Sequence, residues 1–462
     1  MVTATQTIMM PFQGLRATTA QLTWGQLSIW TAMVRQRTWM PLFWFRLLPT
    51  GTTVDEVAAR LTNAIERYES LRTRLVFDGD EEPRQAVAGD GEVVLEVYEA
   101  GARDPADVAV EVQLHYCAKN YDFATDWPVR VAIVVREGQP THLVTVVSHL
   151  VLDAMARTML LRDLPGADQP GSDAANPPGR GMQPAELARW EEGTAARQSS
   201  AASLAYWERV LREIPARRFA GPTEYRSPRY WEAVFHSPAV QLALRVISPR
   251  SPDATAPLLA LLAIALARVS SSNPVVFQVI VSNRFRTHLA EVFAPVNQGG
   301  LWAVDVGDTT IEDALGRSRR RATSTYKNAY YNPRAHDELL ARICAERGEE
   351  LDLGCFFNDR RMAMLAPTVT APTEAQAREA MARTTFAWKT RTDEPSERLF
   401  VHVDDADEAV LLHVWIDTHC FSPEDLEATL RELEVVAMTA AFDRGAPTGV
   451  SAGSRVDAAA KV

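Results

Sequence analysis

The stretch "THLVTVVSHLVLDAMARTMLLRDL", residues 141–164, decides how the rest of the chain is read. A β-branched apolar run, Leu143 to Val147, stops at Ser148-His149, and Asp153 follows four residues after the histidine. An amphipathic run then begins. The run before the break predicts a buried strand and the run after it a helix. A histidine is the side chain best suited to moving a proton near neutral pH, and a strand end can project it into a cleft. The spacing alone does not place Asp153. Its carboxylate could orient the imidazole, or it could fix the turn by pairing with a cation elsewhere.

Outward from this stretch, the chain has 462 residues, which favours two lobes over one core. Apolar residues make up 47% and charged residues 23%, the balance of a soluble globular protein. The net charge of −11 disfavours a nucleic-acid or anionic-membrane partner. No apolar segment has bilayer-spanning length; the densest, "MPLFWFRLL" (40–48), contains Arg46 and reads as a buried strand. The N-terminus lacks a secretory pattern, and the four cysteines (Cys117, Cys344, Cys355, Cys420) are scattered. Both points fit reduced thiols and a cytoplasmic protein. No His/Cys cluster has metal-ligand spacing, and there is neither a P-loop nor a G-x-G-x-x-G.

Residues 53–68 predict a helix opened by Thr53-x-x-Glu56, and "LRTRLVF" (71–77) and "VVLEVYE" (93–99) predict strands. Asp104-Pro105 opens a helix over 104–120. "VRVAIVV" and "THLVTVV", either side of "REGQP", predict a hairpin. Residues 165–183 are rich in Pro, Gly and small polar residues and read as a linker or mobile loop. In the second half, "APLLALLAIALARVS" (256–270) predicts a buried helix, and 274–282 and 300–306 predict strands. A hairpin turning at 404–408 and a helix over 422–442 follow, and the tail from Gly445 is expected to fray. The boundaries are therefore 1–164 for an N-terminal lobe, 184–444 for a C-terminal lobe and 445–462 for a tail. One internal echo, "LLHVWIDTHCFSPEDL" against "VTVVSHLVLDAMARTM", places His419 beside His149 and suggests lobes of related topology.

Several stretches, in order, resemble one family. "SHLVLDA" resembles the H-H-x-x-x-D-G motif of nonribosomal peptide synthetase condensation domains, a branch of the chloramphenicol-acetyltransferase-like acyltransferases. His149 matches the second His and Asp153 the Asp, with Ser148 and Ala154 replacing the first His and the Gly. "LTWGQLSIW" (22–30), "YESLRTRLVF" (68–77, with Tyr68 where a His is usual) and "YDFATDWPVRVAIV" (121–134) resemble further family segments. So do "VIVSNRF" (279–285), "FAPVNQGGLWAVDV" (293–306) and "CFFNDRR" (355–361).

The resemblance implies an α/β (α+β) fold of two chloramphenicol-acetyltransferase-like lobes in a V, with a tunnel between them. His149 would be the catalytic residue. Asp153 would pair with Arg284 across the lobe interface, the planar guanidinium satisfying both carboxylate oxygens. Ser148, Ala154 and Asn358 would lie near the tunnel, with Asn358 at the position that faces the family histidine. Ala154 is strained if that position needs φ > 0, and otherwise adds only a methyl. Arg317, Arg319, Arg320 and Arg321 form a basic cluster that reads either as a solvated helix face or as a dock for an acidic carrier protein. Cys355 and Cys420 read as buried small apolar residues.

The expected activity is that of a free-standing condensation enzyme, since no adenylation or carrier segment is recognised. An amine, or less often a hydroxyl, attacks an acyl or aminoacyl thioester presented on the phosphopantetheine of a separate acyl or peptidyl carrier protein. The acceptor is a small molecule or a second carrier-bound group. No bound cofactor or metal is implied. The alternatives are an acyl-CoA-dependent O- or N-acyltransferase of the same fold, or a non-catalytic docking module with a degenerate motif.

Overall fold

The computed structural model describes residues 2–79, 82–166, 181–222, 224–249, 255–361 and 371–451. Much of the expected linker, residues 167–180, and the tail beyond Ser451 lie outside the described residues. The chain divides into two compact units. The first comprises Met1–Gln198 and Ser282–Asn297; the second comprises Ser199–Val281 and Gln298–Val462. These boundaries differ from those read in the sequence. The helix Pro184–Glu191 stays with the first unit, and residues 282–297, counted with the C-terminal lobe, return to it.

In the first unit, five strands lie in the order Gln6–Gln13, Asp90–Glu99, Val129–Arg136, Gln139–Ser148, Pro41–Leu47. The strand Gln139–Ser148 is buried on both faces. Leu143 and Val147 pack with Val57, Leu61 and Ile65 of the helix Val54–Arg67. Val144 and Val146 pack with Val108, Ala109 and Val112 of the helix Pro105–Ala118. A strand covered on both sides has no polar face, hence its unbroken β-branched run. Each such side chain contributes about 1.5–3 kcal/mol by burial. The hairpin joining it to Val129–Arg136 turns through Glu137 and Gly138, both at positive φ (52° and 75°). That two-residue geometry matches the twist of the paired strands.

The strand Pro41–Leu47 corrects a sequence expectation. It pairs with Gln139–Ser148 but is an edge strand, not a buried one, and Phe43, Phe45 and Leu47 are 49%, 38% and 57% exposed. Arg46, which interrupted the apolar run, is the buried member, its Nη1 donating to the carbonyls of Leu161 and Leu164.

The second unit has seven strands, in the order Gln298–Val304, Val275–Val281, Cys355–Asp359, Leu399–Asp404, Val410–Asp417, Tyr230–Ser237, Thr385–Thr392. One face is covered by Pro238–Ile247, Thr255–Ser270 and Pro423–Phe442. Every residue of Thr255–Ser270 from Ala256 to Ala267 is buried, which is why that helix is apolar all round. The expected frayed tail is ordered over its first part. Thr448 N–H donates to the Thr309 carbonyl, Asp308 N–H donates to the Val450 carbonyl, and Val450 is buried.

The internal echo is present but shifted by one residue. In the first unit a parallel pair (Asp90–Glu99 with Val129–Arg136) leads into the hairpin, and Pro41–Leu47 closes the edge. In the second unit Cys355–Asp359 pairs parallel with Leu399–Asp404, which is hairpinned to Val410–Asp417, beside Tyr230–Ser237. In both units the N-cap of the following helix, Asp153 or Ser422, lies five positions after the strand end, Ser148 or Asp417. This alignment sets Thr418 opposite His149. His419 falls one place later, stacks on Tyr225, and puts Nε2 3.0 Å from the Arg226 carbonyl.

The segment 282–297 is held to the first unit by Arg284. Its Nη2 donates to both oxygens of Asp153 (2.7 and 2.8 Å) and to the Ala294 carbonyl. Its Nη1 donates to the carbonyls of Leu289, Ala290 and Val292. The pair forms, but within one unit, because residues 282–297 pack there. Both carboxylate oxygens are met by Nη2, while Nη1 gathers the segment's own carbonyls. Asp153 Oδ1 additionally accepts from Ala156 N–H, and Oδ2 from Val296 N–H. Nearby, Gly25 lies where a Cβ would come 2.1 Å from the Pro295 carbonyl oxygen, so only glycine fits beneath the segment.

The Asp153 and Arg284 side chains are 7% and 6% exposed, so removing either leaves an uncompensated buried charge, at a cost of about 3–5 kcal/mol. Asp153→Ala and Arg284→Ala should each lower the denaturation midpoint markedly. The double variant should be less destabilised than the sum of the singles, and a double-mutant cycle in urea checks this. Additive losses would show that the two side chains do not stabilise each other.

Candidate functional site

Ser148 ends its strand fully buried. Its N–H donates to the Pro128 carbonyl and its carbonyl accepts from Val151 N–H. Its hydroxyl lies 3.4 Å from both the Trp39 carbonyl and Leu150 N–H. Ser148 thus builds the turn from inside.

His149 is half-buried, and its N–H donates to the Met40 carbonyl. Met40 has φ 46°, in the left-handed region that a non-glycine residue seldom adopts. Sequence reasoning missed Met40, since neither Gly nor Asn marks the position.

Among the described residues the imidazole is set by one hydrogen bond, His149 Nδ1 to the Leu152 carbonyl at 2.8 Å. A carbonyl oxygen only accepts, so Nδ1 must carry the proton, and Nε2 of the neutral ring is left with its lone pair. Burial pushes the His149 pKa below its ordinary value, opposed by the Leu152 hydrogen bond and the nearby Asp153 charge. Near neutral pH the ring is therefore an uncharged acceptor at Nε2. Among the described residues Asp153 makes no hydrogen bond to His149, since its carboxylate is taken up by Arg284, Ala156 N–H and Val296 N–H.

Ala154 is the first residue of the helix Ala154–Asp163, exposed and outside the left-handed region, so replacing the family's glycine introduces no backbone strain. Asp153 caps the third N–H of this helix, leaving those of Ala154 and Met155 without partners among the described residues. The far end is clasped by Tyr68 and Arg67, whose OH and Nη1 donate to Asp163 Oδ2 at 2.8 and 3.0 Å. Tyr68, standing where the family has a histidine, also stacks on Phe293 at 3.8 Å.

Ser148, His149, Asp153, Ala154 and Arg284 thus come together in the first unit. The other candidates belong to the second. Asn358 is half-buried on the strand Cys355–Asp359, in register with His402. The arginines lie on the helix Ile311–Lys327 and do not act as one patch. Arg319 turns toward Ser248 Oγ (3.3 Å), whereas Arg317, Arg320 and Arg321 line a common hollow. Cys355 is buried and Cys420 half-buried, and burial raises both thiols, Cys420 to about 11, which keeps them protonated. Among the described residues no cluster of His, Cys, Asp and Glu could hold a metal ion, and no helix is long and apolar enough to cross a membrane.

Part of a probable non-canonical nonribosomal peptide synthetase, CymA, of Salinispora arenicola (strain CNS-205) is 28% identical over 169 residues. That match covers 34% of this chain and 2% of the synthetase, so the chain spans only a small part of that relative's length. The condensation domain of the Monacolin K polyketide synthase MokA superposes with a TM-score of 0.70 at 15% identity, covering 93% of this chain and 99% of that one. The X-domain in its complex with OxyB, from teicoplanin biosynthesis, gives 0.68 at 18% identity, with coverage of 94% and 95%. At these identities the likeness is one of fold. The condensation domain family model matches residues 45–293, more than half of the chain, and the protein belongs to the condensation domain family.

Proposed function

We propose that the protein condenses an acyl or aminoacyl thioester, carried on the phosphopantetheine of a separate carrier protein, with an amine or, less often, a hydroxyl acceptor. The observation that carries this reading is the neutral His149 with its proton fixed on Nδ1 by the Leu152 carbonyl. Nε2 is then ready to receive a proton from the attacking nucleophile. The new C–N (or C–O) bond forms as the nucleophile adds to the thioester carbonyl. The tetrahedral intermediate collapses with loss of the C–S bond, and His149 returns the proton to the departing thiolate. The N–H groups of Ala154 and Met155, at the positive end of their helix, are suited to the developing oxyanion. Asp153 and Arg284 act by holding the turn, and Ser148 by packing it. Asn358, which the resemblance sets near the substrate, lies on a strand of the second unit. No acyl-enzyme is required, since the raised thiols of Cys355 and Cys420 are poor nucleophiles.

A second reading, a docking module without turnover, draws support from the likeness to an X-domain whose structure is a complex with a partner, OxyB, together with the Ser148 and Ala154 replacements. A third is transfer from an acyl-CoA.

His149→Ala should keep its circular dichroism spectrum and lose about 100- to 10,000-fold in turnover. Wild-type turnover in the folded variant would remove His149 from the chemistry. Binding of carrier-bound thioester without turnover in the unaltered protein would favour the docking module. Consumption of acyl-CoA but not of the carrier thioester would favour the third reading.

The pH dependence follows from the lowered pKa of His149. The base form is the neutral one, so kcat/KM should rise with pH through a value below about 6.5 and be level above it. The same shift makes a protonated His149 unfavourable in the folded state. Stability should be undiminished above about pH 6.5 and fall as the pH drops through the folded-state pKa. His149→Gln should lose that part of the acid sensitivity, as thermal melts at pH 5 and 7.5 would register.

A further inference from the structure

The strand Pro41–Leu47 ends the first unit's sheet, and its outer edge is left open. The Met40 carbonyl accepts from His149 N–H and Leu48 N–H donates to the Thr141 carbonyl, so both residues bond toward Gln139–Ser148. Antiparallel pairing alternates, so Leu42, Trp44 and Arg46 bond the same way, and the N–H and carbonyl groups of Phe43, Phe45 and Leu47 point outward. Among the described residues those outward groups have no partner. The same three residues carry the exposed side chains of the strand. They lie on the face covered by the helix Pro105–Ala118, since Phe43 and Phe45 are in register with Val146 and Val144. That helix adds Val110 and Leu114, both exposed, at i and i+4. Cys117, a turn further on the same side of the helix, accepts from Trp39 Nε1 with its carbonyl, which puts Val110 and Leu114 beside the open edge. Edge strands are ordinarily blunted, because an open row of backbone groups invites pairing. In this chain the edge strand Gln6–Gln13 carries Pro11, and the edge strand Thr385–Thr392 carries exposed Lys389 and Arg391 and a register shift between Trp388 and Thr390. Pro41–Leu47 pairs without a bulge, and its one charge, Arg46, is buried.

We propose that this edge pairs with the same edge of a second copy of the chain, joining the two first-unit sheets about a twofold axis through Phe45. Phe45 then faces the partner's Phe45, and Phe43 faces the partner's Leu47, each pair exchanging two backbone hydrogen bonds. Every outward N–H and carbonyl is satisfied in this register. Pro41, which lacks an N–H, falls outside it, whereas an axis through Phe43 would set Pro41 against the partner's Phe45 and lose a bond. The contact is isologous, one patch meeting itself. Charge selects a second copy over an unrelated strand. At a net charge of −11 copies of the chain repel as whole bodies, but this edge exposes no charge and sets no like charges opposite each other. A partner of other sequence would be chosen by a charge or a side-chain pocket, and the edge supplies neither. The exposed rings and Leu47 of both copies are buried together, beside Val110 and Leu114. Pairing also braces the strand that starts beside Met40, whose carbonyl holds His149 N–H.

The test is sedimentation of the whole protein from low to high micromolar concentration, with melting curves over the same range. A monomer–dimer equilibrium is expected, with a melting midpoint that rises with concentration. Phe43→Lys/Phe45→Lys should raise the dimer dissociation constant about tenfold or more. Because these two side chains also pack on their own unit, Leu47→Lys, at the most exposed of the three positions, is run beside it, each variant checked by circular dichroism. Cross-linking reads the register. In the proposed pairing the two Phe45 Cα atoms lie about 5.5 Å apart, within disulfide reach, whereas the two Phe43 Cα atoms lie roughly 14 Å apart. Mild oxidation should therefore link Phe45→Cys into a dimer faster than Phe43→Cys, with the linked peptides identified by mass spectrometry to set aside Cys117, Cys344 and Cys420. The proposal is overturned if the wild type stays monomeric at every concentration, or if the folded lysine variants dimerise as the wild type does. It is equally overturned if Phe43→Cys links as fast as Phe45→Cys, or if the chain stays monomeric and gains a strand only from another protein.

Discussion

The ion pair between Asp153 and Arg284 is the contact on which the turn carrying His149 depends. One carboxylate caps the helix Ala154–Asp163, receives Val296 N–H and neutralises a buried guanidinium. That guanidinium collects the carbonyls of Leu289, Ala290, Val292 and Ala294. A buried ion pair of this kind stabilises little on its own, because desolvation offsets much of the attraction. Its effect is to specify one arrangement: Arg284 meets both oxygens of Asp153, and the path of 284–296 supplies the carbonyls that Nη1 and Nη2 reach. The four residues between strand end and helix cap, which include His149, are thereby held at both ends.

Within that frame the histidine is oriented by backbone alone. Its N–H is bound by the Met40 carbonyl and its Nδ1 by the Leu152 carbonyl. Among the described residues no acidic side chain hydrogen-bonds the ring, and the Asp153 charge acts on it only from nearby, which leaves burial to keep the ring neutral. The second unit repeats the strand, turn and capped helix without the imidazole. Thr418 occupies the equivalent position, and Asp417, at the strand end, is held by two hydrogen bonds from Arg229. The scaffold is thus shared while the imidazole is present in one copy.

What could be read from the sequence was what side-chain pattern encodes. The doubly covered strand before Ser148, the all-apolar helix 255–270 and the Asp104-Pro105 helix start are set by burial and capping, which act on residue type. The same logic misjudged Pro41–Leu47, because an apolar edge strand and a buried one spell alike and differ only in what covers them. It also displaced His419 by one position, since matching histidines ignored the strand end and the N-cap that set the register. Residues 445–451 look like a tail in composition, yet their backbone hydrogen bonds to 308–312 hold them. The least legible parts of the site are carbonyl groups, those of Met40 and Leu152, because a backbone acceptor has no residue identity to announce it.

The excursion of residues 282–297 carries a consequence for the order of events during synthesis. The segment leaves the second unit after Val281 and returns at Gln298, residues that are paired neighbours on adjacent strands. Arg284 therefore emerges from the ribosome 131 residues after the carboxylate it neutralises. The first unit is not finished when its main stretch has been made, because its last piece is encoded inside the second. Domains otherwise fold one after the other as the chain lengthens. Here the N-terminal unit waits, with Asp153 lacking its cation, while the first strands of the other are translated. Closing so long a loop costs chain entropy, and the buried charge of Asp153 is neutralised only once residue 284 has been made.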